Sequence, residues 1–151
     1  MLNWQLKKFE ELTVNELYAI MRLRAEVFVV EQNCPYQDAD GKDLKAWHLM
    51  GSDAEGELVA FSRLLPTGVS YEEVSIGRVV SSPKVRGTGA GKELMTQSLA
   101  EIEKLFGNVP VRIGAQLYLK TFYESFGFVL QGEEYLEDGI PHVEMLRGNC
   151  S

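Results

Sequence analysis

The sequence predicts a mixed α/β fold of the α+β kind, a central sheet of six to seven strands with flanking helices, and three observations carry that expectation. The chain has 151 residues, 45% hydrophobic and 25% charged, the make-up of a globular protein long enough to bury a substantial core. Stretches with a two-residue apolar period alternate with stretches of helical period, in the order β-α-β-β-β-α-β-α-β-β. Between residues 74 and 116 a strand, a glycine-rich turn, a helix and a further strand follow one another, as in a βαβ crossover with a parallel pair. No internal repeat and no low-complexity linker interrupts the chain, so one domain over residues 1–151 is expected.

The elements follow in order. Residues 3–9 alternate, with Trp4 and Leu6 on one side, and read as a strand. Thr13 and Glu16 form a capping-box pattern, and Leu17, Ile20, Met21, Arg24 and Phe28 then recur at helical spacing, predicting a helix over 14–28. Residues 33–45 are turn-like and acidic. Residues 47–52 and 58–65 read as strands joined by the turn SDAEGE, and 74–81 as another after the break at Pro66–Gly68. Leu94, Met95, Leu99, Ile102 and Leu105 mark a long helix ending at Gly107, a natural C-cap. A buried-type strand over 109–116, a short helix over 117–127, and two strands around the turn EDGIP complete the chain.

Composition excludes several functions. The net charge of −7 disfavours a nucleic-acid partner, which needs basic surface. It mildly favours a cationic small molecule, although solubility explains it equally well. No apolar run reaches the ~20 residues of a membrane helix, and the N-terminus MLNWQLKKFEEL has no secretory h-region. A cytoplasmic chain is expected, with Cys34 and Cys150 as reduced thiols.

The glycine-rich turn SSPKVRGTGAGKEL carries the chemistry. A strand entering such a turn and then a helix aims backbone N–H groups and a partial positive charge at one point, which suits an anion. Arg86 adds a charge-assisted donor, with Lys84 and Lys92 nearby. A P-loop needs glycine at 86 and Ser or Thr at 93, where Arg86 and Glu93 stand. A dinucleotide fingerprint from Gly87 needs glycine at 92, where Lys92 stands. Both fail.

What fits is R-G-T-G-A-G, read as Arg/Gln-x-x-Gly-x-Gly/Ala at Arg86, Gly89 and Gly91. It resembles the pyrophosphate loop of the GNAT superfamily of N-acetyltransferases, which bind acetyl-CoA. The segment IGRVVSSPKVRGTGAGKELM is similar to that family's central strand, loop and helix, and FYESFGF to its later signature. With FVVEQNCPYQDADGKD and EDGIPHVEM, the resemblance extends over nearly the whole chain and points to the ElaA subgroup. It implies the GNAT acyl-CoA N-acyltransferase fold and transfer of an acetyl group to a primary amine by direct attack in a ternary complex. It also implies that the backbone of Val79, Val80 and Ser81 pairs with the pantetheine arm. The amides of Arg86, Gly87, Thr88, Gly89, Ala90 and Gly91 are to hold the pyrophosphate, with Lys92 close by. Tyr123 takes the general-acid position, protonating the leaving thiolate, and strands 74–81 and 111–116 splay to form the cleft.

Candidates for amine deprotonation are Glu31, near a helix end in an apolar stretch, His142, after the turn DGIP, and an ordered water; a structural histidine is the equal alternative at 142. Asp38, Asp40 and Asp43 either hold a cationic amine or form a solvated loop. They do not make a calcium loop, because Asp43 and Leu49 stand where glycine and glutamate are required. No metal is expected, since no third Cys or His falls at zinc spacing. The other reading of the chain is an acetyl-CoA-binding sensor or partner protein without transferase activity, against which Tyr123 and the acidic candidates count. The acceptor is a small-molecule or peptide amine, a longer acyl donor remains open, and a homodimer is compatible with the strand-rich edges.

Overall fold

A computed structural model of the chain describes residues 1–148. Seven strands form one sheet: β1 (Asn3–Lys8), β2 (Trp47–Ser52), β3 (Leu58–Leu65), β4 (Val74–Ser81), β5 (Val111–Gln116), β6 (Phe128–Glu137) and β7 (Ile140–Arg147). Their order is β1-β2-β3-β4-β5-β7-β6, and every neighbouring pair is antiparallel except β4 with β5. The crossover between those two is α2 (Ala90–Phe106), as the strand–turn–helix–strand pattern predicts. The other helices are α1 (Val14–Arg24) and the short α3 (Lys120–Glu124). No helix among the described residues is long and apolar enough to cross a membrane.

Local sequence explains the helix ends. Thr13 accepts a hydrogen bond from the Glu16 amide while the Glu16 carboxylate accepts from the Thr13 amide, a complete capping box at the start of α1. Gly107, with φ +83°, closes α2 in a conformation other residues avoid. The predicted helix over 14–28 differs in kind. Its α-helical part stops at Arg24, and a π-helical stretch, Ala25–Glu31, extends it, with amides reaching back five residues, as from Gln32 to the Val27 carbonyl at 3.1 Å. The wider turn buries Val27 and leaves Phe28, Glu31 and Gln32 along one cleft wall. The helix predicted over 117–127 shrinks to a 3-10 turn, Leu117–Leu119, followed by α3.

The sheet is covered on both faces, which is why β3 is buried along nearly its whole length. On one face Ile20, Leu23 and Val27 pack on Met50, Phe61 and Val80. On the other, Leu94 packs on Leu49 and Ala60, while Met95 and Ile102 join Ile76, Val111, Ile113 and Phe128. Strand alternation sends adjacent residues, such as Ala60 and Phe61, to opposite cores. The polar positions of β3 are matched: Ser62 shares a 2.8 Å hydrogen bond with Ser98 of α2, and Arg63 enters an ionic cluster on the α1 side.

Candidate active site

Strands β4 and β5 pair only at Val74–Val111 and Ser75–Arg112, at the start of each strand, and then part. From Ile76 onward the β5-facing edge of β4 has no strand partner, and a cleft of about 650 Å³ opens between the two halves of the sheet. Val79, Val80 and Ser81 line one side; Ala115, Tyr123 and His142 line the other. On its β3 side β4 carries a bulge. Phe61 faces Val80 and Arg63 faces Gly77, so Arg78 and Val79 together oppose Ser62, and Arg78 adopts φ +50°.

The glycine turn lies at the cleft's end and feeds α2. Gly87 and Gly89 have φ +81° and +87°, so these two positions require glycine for conformation. Space is not the constraint, because a Cβ on either would meet no atom within 4 Å. The amides of Arg86 and Thr88 bond back to the carbonyls of Pro83 (3.4 Å) and Val85 (3.3 Å). Those of Gly87, Gly89 and the first α2 residues, Ala90, Gly91 and Lys92, have no such acceptor among the described residues. Lys92 stands exposed in the first turn of α2, whereas Lys84 is paired with Glu57 at 2.8 Å. Gly91 approaches the aromatic cluster of α3: a Cβ there would lie 3.9 Å from the Phe122 ring.

Tyr123 is 6% exposed and holds its ring edge-on to Phe122 and Phe128. Burial, with a smaller contribution from Tyr118, pushes its phenol well above the ordinary value, so it is neutral at any working pH. Both ring and cavity readings of this residue are therefore present in one side chain: it packs on the core and opens into the cleft.

Glu31 and Arg86, 55 residues apart in sequence, meet at the cleft that both line, Nη1 donating to Oε2 and Nη2 to Oε1. The Arg86 hydrogen bonds are the main reason the Glu31 carboxyl is held below its ordinary range. His142 is 7% exposed, stacks on Tyr135, and has its Nδ1 2.7 Å from the Ile140 carbonyl. A carbonyl only accepts, so Nδ1 carries a hydrogen; in the neutral ring Nε2 then holds the lone pair, 3.7 Å from a Glu137 oxygen. His48, by contrast, is fully buried against Phe9 and Phe61 with Nε2 on the Asp43 carbonyl, away from the cleft.

The acidic loop corrects both expectations for it. Each of Asp38, Asp40 and Asp43 is held by two arginines, with Asp43 buried, Asp38 half-buried and Asp40 at the surface. Asp43 takes Arg24 (2.7 Å) and Arg63 (3.1 Å), Asp40 takes Arg63 (2.7 Å) and Arg78 (3.3 Å), and Asp38 takes Arg24 and Arg78 (2.7 Å each). Burial works to raise the carboxyls of Asp40 and Asp43, yet the arginine contacts prevail and hold both well below normal. Arg24, at 0% exposure, reads in the sequence as one more position on a helix face. The reciprocal amide contact of Gln32 with Gln116 across the cleft, 3.3 Å, has no local sequence signal either. Cys34 is a buried free thiol beside the Asp138 carbonyl; Cys150 lies outside the described residues.

Residues 19–147 match the acetyltransferase (GNAT) domain family. This chain belongs to the GNAT family. Within it, the protein is similar to the ElaA protein of Escherichia coli K12, at 47% identity over 149 residues covering 97% of both chains. Among solved structures, this GNAT protein is similar to an acyl-CoA N-acyltransferase from Pseudomonas aeruginosa, with a TM-score of 0.93 and 47% identity over 98% of this chain and 100% of that one. The crystal structure of Escherichia coli ElaA gives 0.90 and 46%, over 97% and 99%. The GNAT acyltransferase fold follows from these likenesses, and acyl transfer is the class of reaction that membership supports.

Proposed function

We propose that this GNAT protein transfers an acetyl group from acetyl-CoA to a primary amine, small-molecule or peptide, by direct attack in a ternary complex. One observation carries the reading: the unpaired edge of β4 runs straight into the glycine turn, and Tyr123 opens into the cleft alongside it. An extended arm bearing amides can bond to that edge as an added strand does. Its pyrophosphate would sit on the free amides of Gly87, Gly89, Ala90, Gly91 and Lys92, at the positive end of α2. The P. aeruginosa relative carries acyl-CoA in its name, which agrees with this donor.

The amine nitrogen attacks the thioester carbonyl carbon, the C–S bond breaks, and the sulfur leaves with the bonding pair. Tyr123 gives its proton to that sulfur; the amine gives one to His142 Nε2 or to water, and this proton restores the tyrosine. Burial weakens the phenol as an acid, but the thiolate emerges into the same desolvated cleft and its proton affinity rises too. Glu31, bidentate on Arg86, is better suited to orienting that guanidinium than to taking a proton. Calorimetry with acetyl-CoA, coupled to thiol release across an amine panel, tests the whole reading. Binding with amine-dependent release is expected. No binding at high micromolar acetyl-CoA overturns it, and binding with no release under any amine favours a sensor.

A further inference from the structure

We propose that Arg78 and Asp38 are positioning residues: together they lock the β4 bulge in its left-handed conformation and thereby set the strand edge that the acyl donor lies against. The inference rests on the reading of that edge as the donor's binding strand. An arginine at φ +50° is uncommon, because its Cβ crowds the following carbonyl, and such a conformation persists only where its surroundings enforce it. The enforcement is visible. Arg78 Nε donates to Asp38 Oδ1 at 2.7 Å and its Nη2 to the Asp38 carbonyl at 3.0 Å. A second Nη2 contact reaches Asp40 at 3.3 Å, and the guanidinium lies 5.6 Å from the centre of the Tyr36 ring.

Asp38 is itself immobilised. Arg24, wholly buried in α1, bonds to its other carboxylate oxygen at 2.7 Å and to the same carbonyl at 3.1 Å, and Tyr36 donates its hydroxyl at 2.9 Å. The clamp thus runs from the helix core through one aspartate to one backbone torsion of β4. Relaxation of that torsion to negative φ shifts the bulge, and with it the direction of the Val79 and Val80 peptide groups at the cleft. Neutralising three carboxylates with three arginines needs no arginine in a strained strand position, so charge balance does not account for the geometry.

The test is a series at position 78 chosen by tolerance of left-handed backbone: Arg78→Gly, Arg78→Asn, Arg78→Ala and Arg78→Lys. Each is measured for the acetyl-CoA KM and kcat at a temperature where circular dichroism shows it folded. The proposal predicts that glycine loses least, asparagine next, and alanine most, with KM raised about tenfold, the factor that about 1.4 kcal/mol produces. A merely structural role moves the melting temperature without this KM order. Equal losses in glycine and alanine overturn it, because the torsion at position 78 would then not govern. Asp38→Asn, which keeps Arg78 but weakens its hold, is expected to raise the KM as well, and an unchanged KM there also overturns the proposal. Should alanine not fold, the KM of Asp38→Asn decides alone. Amide hydrogen exchange of Val79 and Val80 is read on the same variants. A wild type that binds no acetyl-CoA sinks the functional reading, while Val79 and Val80 exchange unchanged from wild type in both Arg78→Ala and Asp38→Asn sinks the clamp.

Discussion

Tyr123 shows how one residue serves two demands. Its ring is part of the aromatic packing around Phe122 and Phe128, while the residue also lines the cleft, where the proposed reaction gives its hydroxyl a proton to transfer. Replacement by phenylalanine preserves nearly all of that packing and removes only the transferable proton. Tyr123→Phe is therefore expected to lower kcat about 10²- to 10⁴-fold, the range general acids contribute, while acetyl-CoA affinity changes less than about threefold. Steady-state kinetics beside calorimetry measures both, and undiminished turnover removes Tyr123 from its role. Because its pKa is raised, the phenol stays protonated throughout the neutral and alkaline working range. An alkaline fall in kcat below pH 10 would belong to another group. Glu31 illustrates the opposite lesson. An acidic residue near a helix end in an apolar stretch reads as a base; its carboxylate pairs with Arg86, a partner too distant in sequence for any pattern to announce.

The turn between β4 and α2 is decided by backbone conformation. Gly89→Ala introduces a Cβ with no atom to strike, so the change isolates the cost of φ +87°. A loss of about 1–2 kcal/mol in stability is expected, readable as a lowered denaturant midpoint, with a raised acetyl-CoA KM as the turn shifts. All seven strands and the long helix were legible because period-two and period-3.6 apolar patterns are local, and Gly107 and the Thr13–Glu16 box mark their own ends. The π-helical stretch was not. Its residues, AEVFVVE, keep a helical apolar spacing, and only the backbone bonds of the folded chain, such as Gln32 to the Val27 carbonyl, distinguish a five-residue repeat from a four-residue one. The arginine–aspartate cluster was illegible for a different reason: Arg24, Arg63 and Arg78 come from three elements, and only the folded sheet brings them to one loop.

For the whole molecule, that cluster and His48 set the response to acid. His48 is held below its ordinary 6.5, chiefly by burial, so below that pH the unfolded chain accepts a proton that the folded site refuses. Asp40 and Asp43 are held below 3.8, so from about pH 5 downward the unfolded chain also protonates carboxylates first. Both groups favour the folded state at neutral pH and both lose that contribution on acidification. Thermal melts should decline gently below pH 6.5 and steeply below about pH 4. Asp43→Asn should cost about 3–5 kcal/mol at pH 7, since it removes the buried carboxylate shared by Arg24 and Arg63 and leaves Arg24 with Asp38 alone, and should flatten the steep limb. A melting temperature unaltered between pH 7 and pH 3 would contradict this. The parting of β4 from β5 has a separate consequence for how the protein keeps to itself. An open sheet edge ordinarily invites pairing by other chains, which is how aggregates start. Here the exposed ladder lies inside a wedge lined by Glu31 and Arg86, whose two arms are joined at Val74 and Ser75. A wedge closed at that end offers a foreign strand no long open run of edge to pair along, whereas a single extended arm carrying a few amides, as the proposed donor has, needs only a short one.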